Sequence, residues 1–229
     1  QLLITSYFKY DPTKTSLTQS ALETLVNAAI ISYDNNYLSG FDTLFRHSQL
    51  TGSIDDVETS VLSNITTIKL RKNLAGTVDG TAKGYDLVFG NALYNPHADH
   101  NKAGGGILTT TGFFVSGDTV EYFFDDDGSG NVRKYYVSGS TRVYKDNTAG
   151  TINYATGKVL IDSMTLTSTS NGDNSIDFTV LPDSNDVMSS RNQLLDITAS
   201  QISVTGTADT VASGETSAGV GYTTSSSYS

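Results

Sequence analysis

The hydrophobic pattern of this chain changes period near Asn64, and that change constrains the fold more than any other feature. From there onward apolar and polar residues alternate: Ile65, Thr67, Lys69 and Arg71 interleave with Thr66, Ile68 and Leu70. Tyr85 to Phe89 reads as a further strand, followed by a long loop through Gly104-Gly105-Gly106. A regular series of short strands is then predicted: Ile107–Val115, Thr119–Phe124, Val132–Val137, Thr141–Tyr144, Thr151–Tyr154, Lys158–Ile161, Met164–Ser168 and Ile176–Leu181, with Ile202–Val204 last. Ser-Gly-Asp, Asp-Gly-Ser-Gly-Asn and Ala-Thr-Gly turns join them, the signature of a meandering antiparallel sheet. Phe123 and Phe124, like Tyr135 and Tyr136, must point to opposite faces, so both faces carry aromatics and a sandwich or a covered sheet is expected.

The residues before the switch read as helical. A strand from Ile4 to Tyr10 ends at Asp11-Pro12, and Ser16 stands three residues before Gln19, a capping-box spacing. In helical projection Ala21, Leu22, Leu25, Val26, Ala29, Ile30 and Tyr33 share one broad face, wide enough to pack on a core. Leu17, Ala28 and Ile31 cluster opposite. They are either ordinary scattered surface apolar residues or the second contact face of a helix gripped on both sides. A short strand is expected at His47 to Leu50 and a second helix from Ser53, with Asp55, Asp56 and Glu58 in its first turn. The fold class is therefore α+β and mostly antiparallel β, an N-terminal helical segment packed on sheet and followed by a meander or sandwich. Its expected divisions are a helix-containing part at 1–76, a β region at 77–205, and a Ser/Thr/Gly-rich arm or disordered tail at 206–229.

Composition narrows function by exclusion. The 229 residues contain no cysteine, which removes disulfides, thiolate metal sites and cysteine nucleophiles. A net charge of −10 argues against a nucleic-acid binder, which needs a basic surface. No apolar run approaches the roughly 20 residues of a membrane span. No basic segment precedes Leu2-Leu3-Ile4, so no signal peptide is expected, and Gln1 in place of methionine points to a fragment or a processed chain.

Three clusters merit a chemical test. His97, Asp99 and His100 could ligate a divalent metal from one loop, but they lack the helical spacing of a two-histidine protease motif. Asp125-Asp126-Asp127-Gly128 resembles a calcium loop. With Gly128 in sixth place, however, Phe123 and Lys134 fall where oxygen ligands are required. There is no Gly-x-Ser-x-Gly elbow, and the triple glycine lacks the Lys-Ser/Thr of a phosphate loop. No enzyme and no cofactor are expected.

Three stretches together carry a resemblance. The first is Tyr10-Asp11-Pro12-Thr13 into the helix, with Ser39-Gly40-Phe41-Asp42 and Phe45-Arg46-His47-Ser48-Gln49-Leu50. The second is the hairpin Gly150-Thr151-Ile152-Asn153-Tyr154-Ala155-Thr156-Gly157-Lys158-Val159, and the third is Ser189-Ser190-Arg191-Asn192-Gln193-Leu194-Leu195-Asp196-Ile197. In this order they resemble the C-terminal portion of the large baseplate wedge subunit of contractile-tailed bacteriophages of the T-even and cyanophage type. The resemblance implies a structural viral protein of the virion's tail baseplate, assembled in the bacterial cytoplasm. It further implies a homodimer contact, docking of other wedge proteins, and an inner ring around the hub; from the charge and the apolar runs above, neither nucleic acid nor membrane is an expected partner. Leu17, Ala28 and Ile31 are then interface candidates. Arg191 joins them, either as a buried or interfacial anchor whose planar fork holds carboxylate or carbonyl groups in fixed geometry, or as a solvent-exposed arginine at a strand entrance. The alternative is a β-rich virion adhesin or a glycan- or receptor-binding module, in which the 13 tyrosines would cluster at loop tips.

Overall fold

Alternation and helical periodicity resolve into fourteen strands and two α-helices in a computed structural model that describes residues 1–98, 106–189 and 193–210. In chain order these are β1 (Leu2–Tyr10), α1 (Gln19–Tyr33), β2 (Leu44–Phe45), α2 (His47–Asp55), β3 (Val61–Ala75), β4 (Lys83–Val88), β5 (Thr109–Thr110) and β6 (Phe113–Val115). There follow β7 (Tyr122–Asp126), β8 (Asn131–Ser138), β9 (Thr141–Asn153), β10 (Lys158–Met164), β11 (Leu166–Thr169), β12 (Ser175–Val180), β13 (Val187–Met188) and β14 (Ile202–Ala208). A five-stranded sheet has the order β14-β1-β3-β12-β5, and a seven-stranded sheet the order β11-β6-β7-β8-β9-β10-β4. The α+β, mainly antiparallel class is the one read from the sequence. Among the described residues only β1 and β14 pair in parallel, Ile4 beside Ile202 and Phe8 beside Gly206.

Within the five-stranded sheet, β1 alternates strictly: Leu2, Ile4, Ser6, Phe8 and Tyr10 are buried, and the residues between them face outward. Helix α1 lies against β14 and α2 against β3, covering the inner face. The buried stripe of α1 is Leu22, Val26, Ile30 and Tyr33, spaced at helical intervals. Each such side chain contributes about 1.5–3 kcal/mol by leaving water. At the other end of the same face Phe178 on β12 stacks on Phe124 of β7, ring centroids 6.0 Å apart, joining the two sheets through one continuous apolar core. Strands β6 to β10 form the expected meander, with β11 and β4 at its edges.

Several local expectations are corrected. Helix α1 is capped by Thr18, whose hydroxyl accepts the Ala21 amide at 3.2 Å, and not by Ser16. Leu25 lies on its exposed flank, 39% accessible, because the sheet covers a narrower arc than the apolar pattern spans. The predicted strand His47–Leu50 and the helix from Ser53 are a single helix, α2. Asp55 and Asp56 consequently end that helix and do not begin it. The last strand continues past Val204 to Ala208, because β1 supplies a parallel partner along its whole length. Thr141–Tyr144 and Thr151–Tyr154 are one strand, β9. The polar Lys145-Asp146-Asn147-Thr148 stretch between them is accommodated by register shifts against β8, not by a turn. The predicted strand Ile107–Val115 is divided into β5 and β6, which belong to different sheets.

Candidate interface surfaces

The acidic hairpin between β7 and β8 is held from within the molecule. Asp125 is wholly buried; its Oδ1 accepts Arg133 Nε at 2.9 Å, and its Oδ2 accepts Arg142 Nη1 at 2.8 Å and the Tyr144 hydroxyl at 2.9 Å. The Arg133 guanidinium also lies 4.3 Å from the Tyr144 ring centre, and that of Arg142 lies 4.6 Å from Tyr135. Asp126, equally buried, accepts the Ile107 and Leu108 amides at 2.7 and 2.8 Å and the Tyr154 hydroxyl at 2.7 Å. Burial, with the Asp126 hydrogen bond, pushes the Tyr154 phenol well above its ordinary range. Asp127 closes the turn by accepting the Ser129 and Asn131 amides at 2.8 and 3.0 Å. These three carboxylates fasten a hairpin, and their lone pairs point at protein donors.

His97 is exposed, with Nδ1 3.1 Å from the Ala98 carbonyl; Asp99 and His100 lie outside the described residues. Among the described residues no group of three histidine or carboxylate side chains gathers as metal ligands do, and no helix is long and apolar enough to cross a membrane. The hollows are shallow or open. One of about 300 Å³ lies on the outer face of the five-stranded sheet, and one of about 580 Å³ lies between α1 and β14.

Aromatic rings mostly line seams and cores. Phe113 stacks on Phe124 at 4.6 Å on one face of the meander, while Phe123 stacks on Tyr135 at 5.7 Å on the other. Both faces thus carry aromatics, as the alternation required.

Among the described residues, the outward face of the five-stranded sheet and the adjoining flank of α1 have no element packed over them. On that face Tyr7 stands directly opposite Ile65, 56% and 71% exposed; Thr5 faces Thr67, Leu3 faces Lys69, and Lys9 faces Ser63. Ser203 and Thr205 of β14 extend it. The α1 flank bears Ser20, Glu23, Thr24, Asn27 and Ala28, which line the larger hollow with Ile202 and Val204. Across this border Glu23 Oε1 accepts the Gly206 amide at 2.9 Å, and that bond holds the Glu23 carboxyl below its usual range.

Of the sequence candidates, Ala28 is exposed in this hollow, Ile31 is half-buried on the same helix, and Leu17 is exposed just before the Thr18 cap. Arg191 lies outside the described residues. Tyr7, Lys9, Ile65 and Lys69 were not singled out from the sequence, although the alternation through Ile65, Thr67 and Lys69 placed the last two on a common face.

Residues 2–73, which run from β1 nearly to the end of β3, match the family model of baseplate structural protein gp6, C-terminal domain III. No curated protein matches the chain. The match is to a structural protein of the phage tail baseplate and spans about a third of the chain.

Proposed function

We propose that this baseplate protein is a wedge component that builds the inner ring around the hub, through a homodimer contact and contacts to neighbouring wedge proteins. The family match over residues 2–73 carries this reading. Its physical support is the outer face of the sheet within that region, where, among the described residues, Tyr7 and Ile65 stand exposed side by side. Both sheets share one core, so a load taken on that face is passed to the meander by packed side chains such as Phe124 and Phe178. Leu17, Ala28, Ile31 and Arg191 serve as further contact residues in this reading. A reconstruction of intact particles tests it. The chain is expected in the ring that encloses the hub, with copy-to-copy seams. Density for the chain only at the distal, receptor-facing tips would replace this reading with the adhesin one.

A further inference from the structure

We infer that β1 and β14 form a shear clamp, so that the fold bears tension drawn along the chain. This is a load-bearing function beyond the ring-building role proposed above, and it stands or falls separately from that role.

β1 and β14 are the first and last strands among the described residues, and they are neighbours in one sheet. They run parallel, with seven residue pairs in register from Ile4 beside Ile202 to Tyr10 beside Ala208. Tension enters β1 at its Leu2 end and leaves β14 at its Ala208 end, which are opposite ends of the paired stretch. The two strands are therefore pulled past each other along their length. Their hydrogen bonds lie across that direction, so they share the load and must fail together. An antiparallel pair would release both chain ends at the same side, and its ladder would open one bond at a time.

Bond directions show which strand has to move. A strand in a parallel ladder turns alternate residues toward each side. The Gly206 amide donates away from β1, to Glu23 at 2.9 Å, whereas the Asp209 amide donates to the Tyr10 carbonyl at 2.7 Å. Ser203, Thr205 and Thr207 thus turn their backbone groups to β1. On its other side β1 is held by β3 from Leu2 to Tyr10, and the Arg71 amide donates to the Gln1 carbonyl at 2.8 Å where the load enters. β14, the edge strand with a single ladder, is the one that slides.

Sterics oppose the slide as well. Gly206 sits beside Phe8, where a Cβ would stand 2.6 Å from the ring. Pulling β14 by its C-terminal end brings Thr205 and then Val204 to that place, and both carry a Cβ. A slip of one residue also turns the alternation of β14 to the wrong face. Rupture under load is governed by the unfolding barrier and not by equilibrium stability, and a ladder that must break as a whole raises that barrier.

Single-molecule pulling of the full chain, with marker domains fused at both ends, measures the rupture force. The comparison is the same fold held at its N-terminal end and at Ser200→Cys, an exposed position just before β14 in a chain with no other cysteine. That tether grips both strands at one end and peels them apart. At equal loading rate the end-to-end force should be several-fold the peeling force. Thr205→Pro removes one amide from the clamp and should lower the end-to-end force toward the peeling value. Circular dichroism and melting establish whether this variant folds; if it does not, the two tethers on the unaltered ladder decide alone. Equal forces in the two geometries, or a folded Thr205→Pro chain as strong end to end as the wild type, would overturn the inference. Neither result bears on where the chain sits in the particle, which the reconstruction reads.

Discussion

Asp186 and His47 lie 139 residues apart in sequence, yet the Asp186 carboxylate accepts the His47 amide at 2.9 Å and so satisfies the first orphan donor of α2. The residue in the cap position, Arg46, has no side-chain oxygen to offer; its own amide donates to the Tyr33 hydroxyl at 2.9 Å. A distant carboxylate at the positive end of the helix dipole therefore does what a local serine or aspartate does elsewhere.

Asp186→Ala is expected to cost about 0.5–2 kcal/mol, the range for losing a helix cap, and to lower the melting temperature by about 2–4 °C per kcal/mol. Asp186→Asn keeps an acceptor and should lose much less. The exposed Arg46 pair at 3.4 Å contributes little, so Arg46→Met separates the cap from the ion pair. Equal losses for all three variants, measured by denaturant unfolding, would contradict the capping account.

The same bond explains what the sequence hid. Helix α1 was legible because its buried stripe repeats locally at helical spacing, and the β6–β10 meander was legible because alternation and turns are local as well. Helix α2 was not, since its cap comes from Asp186 and its interior Thr51-Gly52-Ser53 lacks strong helix formers. Strand β14 was read too short because its continuation depends on β1 and on Gly206: a Cβ there would stand 2.6 Å from the Phe8 ring. At the candidate interface, Ala28 and Ile31 were visible as apolar residues off the core face. The sheet face was harder to recognise. Tyr7, Ile65, Lys9 and Lys69 look like ordinary outward strand residues until the topology shows that no element among the described residues packs over them.

Asp125 should be the most damaging single position in the hairpin. Its replacement by alanine removes the carboxylate that the Arg133 Nε donates to, at a side chain 9% exposed, and orphans part of the Arg142 and Tyr144 network. Removing one partner of a buried ion pair typically costs about 3–5 kcal/mol. Arg142→Met, at a side chain 36% exposed, should cost clearly less. Chemical denaturation of both variants decides the point, and an Asp125→Ala loss no larger than that of Arg142→Met would sink it.

Acid sensitivity should be traceable in part to Asp79. Hydrogen bonds from the Thr81 hydroxyl and amide, then from Lys83, hold this carboxyl down from 3.8 to about 2. A depressed folded pKa means that the stabilisation is fully present above the unfolded value and is lost as pH falls through the folded one. Between about pH 4 and 2, wild type should therefore lose more stability than Asp79→Asn, because the other lowered carboxyls, such as Asp118 and Asp173, are common to both. Carboxyl carbon resonances read the midpoint directly, and an Asp79 midpoint at the ordinary value would refute the assignment.

The flank of α1 can be tested independently of the sheet face, and the absence of cysteine makes the experiment clean. Ala28 is exposed in the hollow beside β14, so Ala28→Cys introduces one accessible thiol without disturbing Leu22, Val26 or Ile30 in the core. If this flank meets a neighbouring copy, a short bis-maleimide should give an intermolecular product that scales with protein concentration and is competed by unlabelled wild type. A control thiol at Val137, exposed near the turn between β8 and β9, should give far less. Comparable yields from the two sites would reflect random collision and would remove Ala28, and with it the neighbouring Ile31, from the contact surface.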